Sequence, residues 1–292
     1  MTQPASMGSQ SRLSMAAPGA AVASYTEPHE FVSERLVKQL TILDTGGIRG
    51  TRSHPAERTR DGTYSVQGII NYHCSKGLLD LLLPRILGAG SSPTYDLAET
   101  LPFFDVLVER IADRFVYGNC KVNRAVFKAR ASGLVELALE LIGETETVSS
   151  TAFPAVAPPT DTPYVWQDCV VTLNATARVV TEFELSVDNH LEARFSNSQT
   201  ATDLYPTDRT VHLACTVPFT GDTTDLYGAN TGGAAAASLV FTNGAHSLTF
   251  NLAQVQFADR SPHVAGKGEI LLRLAGTAKK SGSTSELVIT NN

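Results

Sequence analysis

The chain has 292 residues, 23 of them basic and 29 acidic, which gives a formal net charge of −6. This charge argues against a general affinity for nucleic acid or anionic membranes, because both call for a basic surface. The four cysteines lie far apart without a CxxC pair, which is neither a zinc pattern nor a disulfide framework. The longest apolar run, residues 77–90, carries charged residues and is too short to span a bilayer. We expect no metal, no cofactor and no membrane anchor.

The first half of the chain reads as an arm followed by strands and one helix. Residues 1–28 are rich in small residues around Pro18, which predicts a flexible N-terminal arm more than a signal peptide. Leucines at helical spacing predict a helix over residues 75–87, capped by Ser75 and kinked or stopped by Pro84. Alternating patterns predict strands over residues 36–43, 63–74, 103–110, 121–130 and 135–146.

Residues 133–150 show the clearest alternation in the chain. Their apolar residues would scatter around a helix axis, whereas a period of two places them on one face of a strand. The other face carries Glu136 and Glu140 and continues through Glu144 and Glu146. The pattern predicts a strand with one apolar and one acidic face.

A proline-rich segment divides the chain. Residues 149–163 contain four prolines among small residues, which predicts a linker that neither pairs in a sheet nor packs in a core. We therefore expect a first domain over residues 29–148 and a second over residues 164–292. Strands are predicted in the second domain over residues 164–173, 177–195, 210–219, 238–252 and 268–276, with a hairpin turn at Asn243-Gly244.

The two halves share the order of several short patterns. VQGIINYHC from Val66 resembles VHLACTVPF from Val211, and ELALELIG from Glu136 resembles EILLRLAG from Glu269. FFDVLVE from Phe103 was matched in the same way with SLTFNLA from Ser247. Each match is weak alone, but their common order favours a duplicated domain. The alternative is that two unrelated antiparallel domains share alternation and turns.

Motifs for catalysis are missing from the sequence. It contains no HExxH, GxSxG, GxGxxG or complete phosphate-binding loop, and its histidines have no carboxylate at ligand spacing. The acidic residues repeat outward along strands and do not converge on a pocket. We expect a protein that is not an enzyme, without catalytic residues.

The whole chain from about residue 30 resembles the major tail tube proteins of long-tailed bacteriophages. The resemblance is carried by the order ERLVKQLTILDTGGIRGTRS, GTYSVQGIINYHCSKGLLDLLLPRILG and YGNCKVNRAVFKARASGLVELALELIGETE, and in the second half by TEFELSVDNHLEARF and SLTFNLAQVQFADRSPHVAGKGEILLRLAGTAKK. It implies a mainly β chain of two tandem tail-tube-type sandwich or barrel domains with a flanking helix. In the ring, their strands would join into one continuous inner β-barrel.

The resemblance also implies a virion protein, made in the host cytoplasm, whose stacked rings form a conduit for DNA ejection. Single-domain members form six-membered rings, so two domains per chain predict a homotrimer with pseudo-sixfold symmetry; a true homohexamer is the alternative. Other tail proteins, such as the tape measure and terminator proteins, are the expected partners, and DNA should pass without specific binding. A two-domain carbohydrate-binding or adhesin module is the alternative function, but such modules present exposed aromatics, and this chain has one tryptophan, Trp166.

Two sets of charged residues are candidates for function. A lumen lined by carboxylates would repel phosphates and let DNA slide, and the candidates for that lining are Glu136, Glu140, Glu182 and Glu184. The sequence does not decide which sheet faces inward.

The second set consists of residues that would set contacts between neighbouring domains or rings. Glu144 and Glu146 end the acidic strand, whereas the matching segment of the second half ends in Lys279 and Lys280. Attraction between these ends would give register and choice of partner.

Overall fold

The fold was described from a computed structural model, which covers residues 7–48, 50–157, 159–220, 234–259, 261–262, 264 and 266–292. The elements of the first half are β1 (Arg12–Ala16), β2 (Ser33–Asp44), β3 (Thr59–His73), α1 (Lys76–Leu87), β4 (Gly88–Ser91), β5 (Thr94–Leu97), β6 (Phe104–Glu109), β7 (Arg114–Arg130), β8 (Glu136–Gly143) and β9 (Thr145–Ser149). Those of the second half are β10 (Cys169–Leu173), β11 (Thr176–Arg178), β12 (Glu182–Asp188), β13 (Leu191–Arg194), β14 (Asp203–Pro206), β15 (Thr210–Pro218), β16 (Ala235–Asn243), β17 (His246–Asp259), β18 (Leu271–Lys279) and β19 (Val288–Asn291).

The protein is mainly β, and its strands follow the predicted alternation. In β8, Leu137, Leu139 and Leu141 are fully buried, whereas Glu136 is exposed and Glu140 half-buried. The acidic face ends sooner than predicted, because Ile142 lies under a neighbouring hairpin and is buried. The turn at Asn243-Gly244 joins β16 to β17 as predicted, and Gly244 takes the positive φ that such a turn requires.

The helix has the predicted extent, but the contributions of Ser75 and Pro84 differ from the prediction. Ser75 is the N-cap residue, but its side chain makes no capping hydrogen bond. Pro84 does not stop the helix, which continues to Leu87 and ends where Gly88 adopts a left-handed conformation with φ 87°. Buried leucines on α1 hold this last turn in place, so tertiary packing outweighs the local cost of the proline.

Antiparallel pairing links the two halves into one open sheet. Eight strands follow one another in the order β2-β3-β8-β7-β12-β15-β18-β17. Strands β7 and β17 are long enough to continue into a second layer, where β7 pairs with β6 and β9, and β17 pairs with β16 and β19. The described strands do not close into a barrel.

The strand topology of the first half is repeated in the second. Six pairings recur: β1–β6 as β10–β16, β2–β3 as β12–β15, β3–β8 as β15–β18, β6–β7 as β16–β17, β7–β8 as β17–β18, and β7–β9 as β17–β19. This order supports a duplicated unit. It also corrects one sequence match, because Phe104–Glu109 form β6 and therefore correspond to β16, not to the start of β17.

The repeat extends to register. A row of directly opposed residues crosses four strands of the first half through Leu36, Gly68, Leu141 and Val122. The corresponding row of the second half runs through Leu185, Leu213, Gly276 and Phe257. In both rows the fourth residue comes directly before a β-bulge. Each residue of the first row can therefore be equated with one of the second, which shifts the sequence match between ELALELIG and EILLRLAG by two residues, from Leu274 to Gly276 as the counterpart of Leu141.

One hydrophobic core serves both halves. It runs from Leu13 to Ile289 and includes all the leucines of β8 as well as residues of β12, β15 and β17. Phe127 of β7 meets Phe250 of β17 edge-on, with ring centroids 5.0 Å apart. Phe183 of β12 also packs against Phe250. Because the halves share this core, the predicted boundary marks a repeat of topology and not a division of the packing.

Two segments that were predicted to lie outside the core are partly inside it. In the predicted N-terminal arm, β1 pairs with β6, and Met15 is fully buried. In the predicted linker, Phe153 is buried against Tyr25 and Leu107. The predictions of a flexible arm and of a linker relied on the small residues and prolines that dominate both segments. The few apolar side chains among them determine how the segments pack. Residues 1–6 and 221–233, the latter in the place that α1 takes in the first half, lie outside the described residues.

Candidate lumen surface and sheet edges

One face of the eight-stranded sheet packs on the core, and the opposite face carries polar and charged residues. On β8 this polar face carries the exposed Glu136 and the half-buried Glu140, and on β12 it carries the exposed Glu182 and Glu184. The sheet therefore places all four candidate lumen carboxylates on a single face. Period-two alternation on two separate strands is what brings them to the same side.

The carboxylates of β8 and β12 flank a basic strand. Lys128 of β7 lies directly opposite both Glu136 and Glu184. Its Nζ is 3.2 Å from Glu136 Oε2, and both side chains are about half exposed. Such an exposed pair contributes about 0.2–1 kcal/mol to stability.

The next row of the sheet repeats this arrangement. Glu182 lies opposite Arg130 on one side and Thr216 on the other, and its Oε1 accepts a hydrogen bond of 3.0 Å from Thr216 Oγ1. Arg273 of β18 lies opposite Thr216. Glu136, Glu182 and Glu184 line the same concave site, of about 780 Å³, together with these basic residues.

Glu140 lies nearer the other end of the face. Its neighbour across the strands is Arg124, which in turn lies opposite Asp188 of β12. Arg124 Nε and Asp188 Oδ2 are 3.9 Å apart. Glu140 Oε1 accepts a hydrogen bond of 2.9 Å from Asn123 Nδ2, so this carboxylate is held in place on the sheet.

The face is therefore not uniformly acidic. Arg124, Lys128 and Arg130 of β7 each stand beside at least one carboxylate of a flanking strand, so the charges alternate in sign across these strands. A signal for the basic residues was present in the sequence, because the spacing of Arg124, Lys128 and Arg130 gives them one common face of a predicted strand. The alternation of charge across the strands could not be predicted from the sequence, because β7 and β12 lie far apart in the chain and their pairing is a tertiary feature.

The fold leaves some residues of the second charged set accessible and engages another within the chain. Glu144 is almost fully buried and accepts a hydrogen bond of 2.7 Å from Asn119 Nδ2. Glu146 is half-buried on β9, opposite Tyr117. Lys279 and Lys280 are exposed at the end of β18. Glu146 and the two lysines are therefore accessible to a neighbour, and Glu144 is engaged within its own chain.

A hairpin from the second half covers one end of the polar face. Strands β13 and β14 pack onto β7 and β8, where Lys121 Nζ donates a hydrogen bond of 2.6 Å to the carbonyl of Leu204. The same ammonium lies 3.9 Å from the centroid of the Phe103 ring, and burial lowers the pKa of Lys121. Further along, the carbonyl of Gln199 accepts a hydrogen bond of 2.7 Å from the backbone of Tyr64 on β3. This hairpin fastens the second half to the first.

The chemistry of this face differs from that of a catalytic site. Its ionisable residues are paired across strands, and the described residues contain no group of His, Cys, Asp and Glu side chains arranged to hold a metal ion. The described residues also include no helix that is long and apolar enough to cross a membrane. An extended sheet whose edge strands are unpaired in the described residues can pair with further chains into an assembly.

Comparison with known proteins identifies that assembly. A family model described as "Phage tail tube protein" matches residues 8–278. The chain belongs to this family, and it is a structural component of the phage tail tube in the virion. The family match favours this role over a carbohydrate-binding or adhesin module. A comparison with curated proteins gave no match.

Proposed function

We propose that three copies of this chain close into a ring with pseudo-sixfold symmetry and that such rings stack into the tube. The duplicated strand topology carries this proposal, because three chains supply six equivalent units. The alternative, a hexamer of whole chains, would give twelve such units in one ring. Closing the sheet would also remove the unpaired edges of β2 and β17, which would otherwise be open to aggregation.

In this ring the polar face of the sheet lines the lumen. The opposite face is already packed on the core, so only the polar face remains to meet water and DNA. Carboxylates beside Arg124, Lys128 and Arg130 weaken the attraction of these three residues for phosphate, since an unpaired lysine or arginine would bind the DNA backbone and release counterions. Glu136, Glu140, Glu182 and Glu184 thus act by neutralising a basic strand as well as by repelling phosphate. DNA then passes to the host without a specific site.

Contacts between rings use the segments that leave the sheet. Glu146 of one unit meets Lys279 and Lys280 of another, and the segment ahead of β1 takes part in the same contacts. The tape measure protein inside the tube and the terminator protein at its end are the further partners. The protein is made in the host cytoplasm before it joins the virion.

Electron microscopy of the purified protein tests the proposal. We expect concentration-dependent rings or tubes, with three chains in each ring. A monomer at all concentrations would contradict ring formation, and six chains in a ring would contradict the pseudo-sixfold trimer. A reconstruction of the tube that places Glu136 and Glu184 on the outer wall would refute the assignment of the lumen.

A further inference from the structure

A cluster of polar side chains joins the helix α1 to β19, the last strand of the chain. Asn291, on β19, is fully buried. Its Nδ2 donates one hydrogen bond of 2.9 Å to the backbone carbonyl of Lys76 and one of 2.6 Å to Asp80 Oδ1. Its Oδ1 accepts a hydrogen bond of 3.1 Å from the Tyr164 hydroxyl. These three bonds fix the orientation of the amide group, with its nitrogen toward α1.

The side chain of Lys76 reaches the same carboxylate. Its Nζ lies 2.6 Å from Asp80 Oδ2, one helical turn away, whereas Asp80 Oδ1 binds the Asn291 amide. The hydroxyl of Tyr95 also donates to Asp80 Oδ1, at 2.8 Å, and helps to hold the carboxylate in place. The side chains of Lys76 and Asp80 are only 25% and 24% exposed. One carboxylate thus holds an amine on one oxygen and a carboxamide on the other, which brings together a nucleophile, a base and an acyl carbon.

We propose that Lys76 and Asn291 join in an intramolecular amide bond, which the chain forms by itself after folding. A bond forms between Lys76 Nζ and Asn291 Cγ, and the bond between Cγ and Nδ2 breaks. Each chain reacts once, without an external substrate. The reaction needs only a single folded chain, so it does not depend on the ring proposed above.

Asp80 is placed to move the protons of this reaction. It accepts a proton from the Lys76 ammonium, which frees the lone pair of Nζ for attack on Cγ of Asn291. The protonated carboxyl group then donates to Nδ2, which makes the amide nitrogen a leaving group. Over the whole reaction the lysine ammonium gives up two protons and Nδ2 takes up both. The products are therefore a secondary amide and an ammonium ion, and no oxidant, reductant or further reactant is needed.

The hydroxyl of Tyr164 is placed to stabilise the charge that develops on Asn291 Oδ1. Attack on Cγ turns this oxygen into an oxyanion, and the hydroxyl already donates a hydrogen bond to it. Tyr164 is 1% exposed, and burial raises its pKa, so the hydroxyl keeps its proton. A single donor of this kind accelerates such reactions about 10²–10³-fold. The cluster therefore holds a stabilising group as well as the reacting ones.

The link would close a loop through most of the chain. Lys76 and Asn291 are 215 residues apart in sequence, and the strands between them include β7 and β12, whose pairing joins the two halves. A covalent bond between the ends of such a loop restricts the unfolded chain. It would also keep β19 from separating from α1. The two halves would then be held together covalently as well as by packing.

The mass of the intact wild-type protein tests the proposal. We expect a mass below that of the unlinked chain by one ammonia molecule. Proteolysis and tandem mass spectrometry should then yield a branched peptide that joins the segment of Lys76 to the segment of Asn291. An unchanged mass, or a loss of ammonia located at another residue, would overturn the proposal. This measurement needs neither a variant nor an assembled ring.

Two variants test the cluster itself. Lys76→Arg keeps the positive charge beside Asp80 but removes the attacking amine, and Asp80→Asn keeps the shape of the side chain but removes the base. Both should show the full mass of their sequences, with circular dichroism like that of the wild type as evidence of folding. The matched control is Lys38→Arg on β2, where the ammonium lies 3.9 Å from the centroid of the Tyr64 ring. This control should lose ammonia as the wild type does, whereas the same loss in Lys76→Arg would show that Lys76 is not the nucleophile and overturn the link.

Discussion

Replacing Phe127 with alanine should destabilise both halves of the protein together. Phe127 lies on β7, is fully buried, and contacts the ring of Phe250 on β17, with the centroids 5.0 Å apart. Burial of this kind makes a Phe→Ala change cost about 3–5 kcal/mol, through lost transfer free energy and the cavity left behind. The edge-on aromatic pair accounts for about 0.5–1.5 kcal/mol within that loss.

Urea unfolding followed by two signals measures the effect. Trp166 is the single tryptophan and lies in the second half, stacked near Phe183, so its fluorescence reports on that half. Far-UV circular dichroism reports on all strands. For a slope of about 3 kcal/mol per molar urea, a loss of 3–5 kcal/mol lowers the midpoint by about 1–1.7 M. Because the core is shared, the midpoints by both signals should fall together.

The control is Phe195→Ala, at a side chain that is 38% exposed, which should cost about 1 kcal/mol or less. A Phe127→Ala protein whose Trp166 transition stays at the wild-type midpoint would show that the second half folds independently. That result would refute the single core. A loss below about 1 kcal/mol would refute the magnitude, since it would mean that the site collapses without a cavity.

Three further outcomes are expected. Asn291→Ala, introduced into the unlinked Lys76→Arg protein, should lower the free energy of unfolding in urea by about 1–3 kcal/mol, because this buried amide forms hydrogen bonds with α1 and with the Tyr164 hydroxyl. A free energy of unfolding equal to that of the Lys76→Arg protein would contradict that reasoning. Burial lowers the pKa of His29 below its ordinary 6.5, so the unfolded state binds the proton more readily and stability falls as the pH drops below 6.5. His29→Gln should lessen this fall in stability between pH 7.5 and 5.5. An unchanged pH dependence would exclude His29 as its source. Changing Lys279 and Lys280 to glutamate should reduce tube yield by repulsion from Glu146, and tubes of normal yield in electron micrographs would argue against that contact.

Local pattern was sufficient to identify most strands and the helix. The period of two in residues 135–141 reflects a strand with one buried face, and such a strand keeps its pattern wherever it is placed. The same pattern gave the candidate carboxylates their common orientation along β8 and β12. Prediction was weaker where few residues carry the packing. Met15 and Phe153 are single apolar side chains in segments dominated by small residues and proline, and only the complete core shows that they are buried.

The sequence by itself determined the class of the protein. Strand alternation, the lack of catalytic motifs, the repeated order of patterns and the resemblance to tail tube proteins were all present in the chain. The tertiary structure decided the rest, because pairing between distant strands depends on the whole sheet. It placed β12 beside β7, aligned Glu184 with Lys128, and showed that the repeat equates β6 with β16. It also left β2 and β17 as the two edges. A linear pattern records which face a residue occupies, but only the assembled sheet determines which residue stands opposite.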